Sequence, residues 1–253
     1  RGLPGSHSTA TGVAGFVDAL AQNVGDAVTC GARVDELACA DGEVVARVGG
    51  SVWRARSVVV ALPAREAGAL LAPRDPELRA LFDRIVYAPM ASVALSVDPN
   101  RSRERIRGFG FLVPRQAGLR LLGALFPARV FPDRAPVGRE LVMAMVGGTR
   151  WPGVVEASDE ALLEAATEGL DRTLGAEIAE APLAIRRWPR AVPQPGPRHA
   201  AQIRELRAAV ARTRPGVELA GSYLDGVSVG DALLSGVRAA RSLIPAKPTA
   251  EPG

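Results

Sequence analysis

The stretch Glu218-Leu-Ala-Gly-Ser-Tyr-Leu-Asp-Gly-Val-Ser-Val-Gly-Asp231 has the residue types for holding an anion. A short apolar strand runs into a glycine-bearing loop that feeds a helix. Such a junction can present free backbone N–H groups and the positive end of a helix dipole to a phosphate or pyrophosphate. A plain strand-turn-helix connection accounts for the same residues, and these physics alone leave both readings open. Within the stretch, Gly226-Val-Ser-Val-Gly230 satisfies G-x-S-x-G, the nucleophile elbow of serine hydrolases. That chemistry needs an acid and then a histidine after the serine, and neither His7 nor His199 follows Ser228. Without a general base, Ser228 stays a weak nucleophile.

Little else in the chain could do chemistry unaided. The two cysteines, Cys30 and Cys39, form neither a CxxC redox pair nor a zinc set, and they read as packed thiols of a reducing compartment. No paired-carboxylate spacing and no G-x-G-x-x-G occurs, so redox chemistry would need a bound cofactor. The net charge of +4 comes from dispersed arginines, with Lys247 the only lysine. The densest basic run, Arg101 to Arg107, contains an acid and no stacking aromatics, so it reads as a solvated connector and not as a nucleic-acid site. A basic face touching anionic lipid stays open. With 253 residues, 47% hydrophobic, the chain can bury a core, and it has no apolar run long enough for a membrane span. Its start has neither an initiator Met nor a signal peptide, so the numbering is expected to begin inside a longer reading frame.

The elements that would position these residues follow from periodicity. Val13, Phe16, Val17, Leu20 and Val24 share one helical face, ending near Gly25. Strands are expected at 27–30, 33–39, 42–48 and 51–54, with Asp41-Gly42 as a hairpin turn. The run 56–62 reads as a strand buried on both faces and ended by Pro63. Helices at 65–71 and 75–84 follow, the second opened by the N-cap and proline pair Asp75-Pro76. From Tyr87 to Gly147 the pattern is mostly strand, as in an antiparallel sheet. Ser158 caps a helix to about Leu174, and 183–188 is a strand. Residues 198–212 are helical, 217–220 form a short buried strand, and a last helix spans 228–243. The tail 245–253 is expected to be disordered.

Several separated motifs resemble one family. Ala220-Gly-Ser-Tyr-Leu-Asp-Gly-Val-Ser-Val-Gly-Asp231, with Ser235-Gly236 and Ala239-Ala240 beyond it, resembles the closing flavin motif of the protoporphyrinogen oxidases, within the amine-oxidase-like flavoproteins. Trp188-Pro-Arg-Ala-Val-Pro-Gln194 with His199 is similar to that family's W-P-x-A-I-P-Q-Y-x-x-G-H. Gly108-Phe-Gly-Phe-Leu-Val-Pro-Arg115 is similar to its G-F-G-x-L-x-P-R. Leu122-Gly123, Phe131-Pro132 and Gly147-Gly148 recur in family order. The departures are Thr11-Gly12 for paired glycines, Pro195 for a tyrosine and Arg198 for a glycine.

The resemblance implies a mixed α/β fold: an incomplete FAD-binding domain of the amine-oxidase-like type plus an antiparallel-sheet substrate subdomain. Residues 1–85 and 201–244 would belong to the FAD-binding domain, and 86–200 to the substrate subdomain. Val34, Ala61, Pro63, Trp188, Gly221, Val227, Ser228 and Val229 match positions that hold FAD. Leu112 and Phe131 match apolar residues that sandwich a tetrapyrrole, and without the family they read equally as sheet core. The implied reaction is oxidation of protoporphyrinogen IX to protoporphyrin IX with oxygen as acceptor, in the cytoplasm or peripherally on the inner membrane face. The family's dinucleotide-binding unit would precede residue 1, so a partnering amino-terminal half is expected. Two alternatives stay open: a related flavin oxidase acting on an amine or carotenoid, and an inactive truncated or split chain that needs that half.

Overall fold

A computed structural model of the chain describes residues 7–104, 106–176 and 181–244. The expected tail 245–253, and Arg105 of the basic run, lie outside the described residues. The chain divides into two compact units, Arg1–Val86 with Pro195–Gly253, and Tyr87–Gln194. The fold class is mixed α/β, with an antiparallel sheet in each unit.

The first unit opens with α1 (Ala14–Val24), which ends where Gly25 turns the backbone to φ 59°. The strand expected at 27–30 does not form. A 3₁₀ turn at Gly25–Ala27 leads instead into an exposed connector with no neighbouring strand to take its backbone groups. Next come β1 (Val34–Ala40), β2 (Glu43–Val48) and β3 (Ser51–Ala55), an antiparallel meander. Asp41 and Gly42 both have positive φ, the signature of the type I′ turn that matches strand twist. Cys30 is exposed in the connector, not packed, and Cys39 in β1 is half-buried.

Among the described residues, strand β4 (Val58–Val60) pairs only with β10 (Val217–Leu219), in parallel. The run expected to be buried on both faces therefore buries Val60 alone, because a two-stranded pair leaves an outer edge and face uncovered. Helices α2 (Ala64–Leu71), α3 (Pro76–Asp83), α6 (His199–Thr213) and α7 (Val229–Leu243) complete the unit. Asp75 caps α3 by accepting from the Leu78 N–H at 2.9 Å. Gly68 lets α2 and α3 approach, since a Cβ there would stand 2.8 Å from Phe82 Cβ.

The second unit is built on a five-stranded antiparallel sheet in the order β6-β7-β8-β5-β9: β5 (Tyr87–Val97), β6 (Gly110–Leu112), β7 (Leu121–Leu125), β8 (Glu140–Gly147) and β9 (Ala184–Pro193). Alternation sends Val93, Leu95, Val142 and Ala144 to one face, where they pack with Leu162, Ala166 and Leu170 of α5 (Asp159–Leu174). Ser158 caps α5 by accepting from the Ala161 N–H. A short helix, α4 (Pro127–Val130), follows β7.

Candidate functional site

In the first unit, β4 and β10 run side by side and stop together: Val60 lies opposite Leu219, and the Ala220 N–H donates to the Val60 carbonyl at 3.0 Å. Loops 61–63 and 220–228 leave this shared carboxyl edge and feed α2 and α7. In open α/β sheets that edge is where ligands bind, because strand ends and helix amino termini converge there. Val34 and Ala61 line the same cavity of about 660 Å³, together with Val58, Val60, Leu62 and Glu66. A register shift between Val34 and Glu36 marks the start of β1 at its wall. Pro63 is the exposed residue before α2. Gly221 stands against the same loop, where a Cβ would lie 3.8 Å from the Leu62 carbonyl oxygen.

The amino terminus of α7 is more occupied than the sequence expectation of free amides. The Gly221 N–H donates to Ser235 Oγ at 2.9 Å, and Ser235 is buried and donates its own proton to the Ala232 carbonyl. Ser228 is the N-cap: its Oγ accepts from the Asp231 N–H at 3.0 Å, and the Asp231 carboxylate accepts from both the Ser228 N–H and hydroxyl. These two hydrogen bonds from Ser228, the hydroxyl first, hold the Asp231 carboxyl below its usual range. Ser228 is thus a capping hydroxyl engaged with a carboxylate. The N–H groups of Val229 and Gly230 have no partner among the described residues, so an anion would meet these two amides. The sequence reading named Asp231 and Ser235 as motif residues but gave them no role, although S-x-x-D at 228–231 is a visible capping pattern. It also missed the role of His199, whose Nε2 lies 3.1 Å from the Leu224 carbonyl and ties down the loop before α7.

The second unit places Leu112 and Trp188 on the sheet face opposite the core. Directly opposite residues of antiparallel strands share a face, so Leu112, Gly123, Met145, Ser92 and Arg186 form one cross-strand row. The next rows add Met90 paired with Trp188, and Met143 paired with Leu125. All three methionines of the chain therefore stand on this face. Leu112 is 87% exposed and Trp188 50%, which excludes the reading of Leu112 as ordinary sheet core. Gly123 lets β6 and β7 approach closely, since a Cβ there would collide with the Phe111 carbonyl oxygen. Leu112, Met145, Met90 and Trp188 give this face an apolar platform of adaptable side chains, flanked by Ser92 and the exposed Arg186 and suited to a flat, largely apolar ligand. Phe131 is not in these rows. It follows α4, half-buried, with the Arg134 guanidinium 6.0 Å from its ring centroid. The alternation of Met143 and Met145 was readable from the sequence, but which face it took was not.

Comparison with known proteins adds a third observation. Residues 2–244 match the family described as flavin containing amine oxidoreductase. The chloroplastic protoporphyrinogen oxidase 1 of Spinacia oleracea is 33% identical over 186 residues, 70% of this chain and 33% of that protein. The coproporphyrinogen III oxidase of Bacillus subtilis (strain 168) is 27% identical over 184 residues, 72% of this chain and 38% of its own length. The chain thus spans about a third of the length of the curated relatives it matches. A crystal structure from Exiguobacterium sp. 255-15, provisionally assigned as a protoporphyrinogen oxidase, superimposes with a TM-score of 0.76 at 24% identity. It covers 92% of this chain and 51% of that one. That likeness is one of fold. Among the described residues, no helix is long and apolar enough to cross a membrane.

Proposed function

The chain belongs to the flavin containing amine oxidoreductase family, and from that premise we propose that it serves the flavin-dependent oxidation of protoporphyrinogen IX to protoporphyrin IX, with oxygen as the final acceptor. The observation that carries the reading is the open sheet face of Leu112, Met145, Met90 and Trp188, a soft apolar surface on which a macrocycle can lie. The porphyrinogen oxidases among the relatives support the same substrate class.

The residues of the first unit fit a flavin dinucleotide. The carboxyl edge of β4 and β10 ends against two helices, Val229 and Gly230 offer unengaged amides, and the neighbouring cavity has the volume of a cofactor site. In this proposal Val34, Ala61 and Pro63 hold the adenine side of FAD, and Gly221, Val227, Ser228 and Val229 hold its phosphates and ribityl chain. The reading also assigns Trp188 to the cofactor, and Leu112 and Phe131 to the tetrapyrrole. When bound, the flavin supplies the hydride acceptor. The protein's own part is to orient the porphyrinogen and keep water from it, with no side-chain acid or base assigned. The reading includes a dinucleotide-binding unit contributed by a partnering amino-terminal segment. It places the work in the cytoplasm or at the inner membrane face.

A second reading takes coproporphyrinogen III as the substrate, favoured by the Bacillus subtilis relative. The test is to purify the chain with excess FAD, desalt it and record its visible spectrum, alone and with a G-x-G-x-x-G segment from a relative. Each porphyrinogen is then supplied under air and porphyrin fluorescence followed. Retained flavin and a fluorescent product from protoporphyrinogen IX are expected. Product from coproporphyrinogen alone would move the assignment to the second reading. Retained flavin that oxidises an amine and neither porphyrinogen would overturn both.

A further inference from the structure

The second unit holds a cavity of about 310 Å³ that the porphyrinogen reading does not use. Arg115, Thr149 and Arg150 line it with Gln194, and Met90 and Leu122 form apolar wall. No acidic residue is among its walls, and neither arginine takes part in an ion pair among the described residues. The cavity is built, not incidental. Gly147 and Gly148 both have positive φ and turn the end of β8 into the 3₁₀ turn that presents Thr149 and Arg150. Arg150 is fixed by donating to two carbonyls, those of Leu121 and Val113, which immobilise the guanidinium without neutralising its charge. Arg115 donates one N–H to Thr149 Oγ1 at 2.9 Å. The threonine hydroxyl therefore acts as acceptor on that side and keeps its own proton for a ligand.

We propose that this cavity is a carboxylate subsite that receives an acidic side arm of a flat ligand lying on the neighbouring sheet face. Met90 belongs to both places: it lines the cavity, and it stands opposite Trp188 on the apolar platform. A ligand with an apolar ring and a short carboxylate arm can contact the platform with the ring and reach Arg115 and Thr149 with the arm. Arginine's planar fork matches a carboxylate with two parallel N–H···O bonds, and Arg150 adds positive field behind it. The inference rests on the reading of the face as a tetrapyrrole platform and adds to it the group that sets orientation on that platform.

The test compares protoporphyrin IX with its dimethyl ester, by quenching of tryptophan fluorescence in the full chain. The free acid should bind roughly tenfold more tightly than the ester, the size of one charge-assisted hydrogen bond. Arg115→Ala should erase that preference and leave ester affinity unchanged, and Arg115→Lys should restore part of it. Arg115 is exposed, so its loss is not expected to disturb folding. Equal affinity for acid and ester in the unaltered protein, or an equal loss of both in Arg115→Ala, would overturn the subsite while the platform stands. If neither compound binds, the platform reading fails. The subsite is then decided by phenylglyoxal modification of Arg115, followed by mass spectrometry with and without succinate. Slower modification upholds a carboxylate site, and an unchanged rate overturns it.

Discussion

Helices α1 and α5 carry the same kind of apolar stripe and meet different fates. In α5, Leu162, Ala166 and Leu170 are fully buried against the five-stranded sheet. Along α1 and its N-cap, Val13, Phe16, Val17, Leu20 and Val24 keep between 41% and 65% of their surface, and no residue of the helix is buried. The contrast runs through the two units. The second has one continuous core, whereas the first leaves α1 and all of β3 exposed and Val58 and Val59 of β4 half-buried, while still packing α2, α3 and α6 around Leu71, Phe82 and Leu206. Periodicity tells which side of an element is apolar, and only a neighbour determines whether that side stabilises the fold.

The comparison can be broken most directly in the core of the second unit. Leu170→Ala should cost about 3 kcal/mol, by lost transfer free energy and a residual cavity, and urea unfolding followed by near-UV dichroism reads it. A cost under about 1 kcal/mol would mean that this core is not what holds the unit. Next in size is Gly221→Ala. Gly221 sits at φ 145°, and a Cβ there would press on the Tyr223 ring at 3.0 Å, so a loss of roughly 1–3 kcal/mol is expected, with weaker flavin retention in the desalting assay.

Smaller still is the cap of α7, where Ser228→Ala should cost about 1 kcal/mol, seen as faster amide exchange in the first turn of the helix. Acid should act on the same turn. The Asp231 carboxyl lies below its usual range in the folded protein, so its contribution is complete above the ordinary value of 3.8 and fades as pH falls from there through the lower folded value. Exchange in that turn should be unchanged between neutral pH and mild acid and should accelerate only below it. Loss of protection already near neutral pH would remove Asp231 as the cause. The smallest effect is expected from Val17→Ser in α1, under about 0.5 kcal/mol, because that side chain is already 65% exposed. A larger loss would show that the helix face is covered in solution.

Much of the local structure was legible because its causes are local. Asp75-Pro76 starts α3, Ser158 starts α5, and Asp41-Gly42 turns β1 into β2, each through bonds or dihedrals within a few residues. The sites were legible only in part. The anion-binding loop before α7 could be read as a strand-turn-helix junction, but the engagement of the Gly221 amide by Ser235, fourteen positions away, could not. The meeting of Arg115 with Thr149 across 34 positions left no sequence signal either.

Sequence by itself therefore determined where the elements begin, which face of each is apolar, and which family the motifs resemble, because capping, turn dihedrals and side-chain period are short-range. The tertiary structure alone decided which apolar faces find partners, which amides remain for a ligand, and that Leu112, Met145, Met90 and Trp188 share one open face. Those outcomes depend on strand register and on contacts between distant segments, and a shift by one residue in any one of those four strands would turn its side chain from the open face into the core.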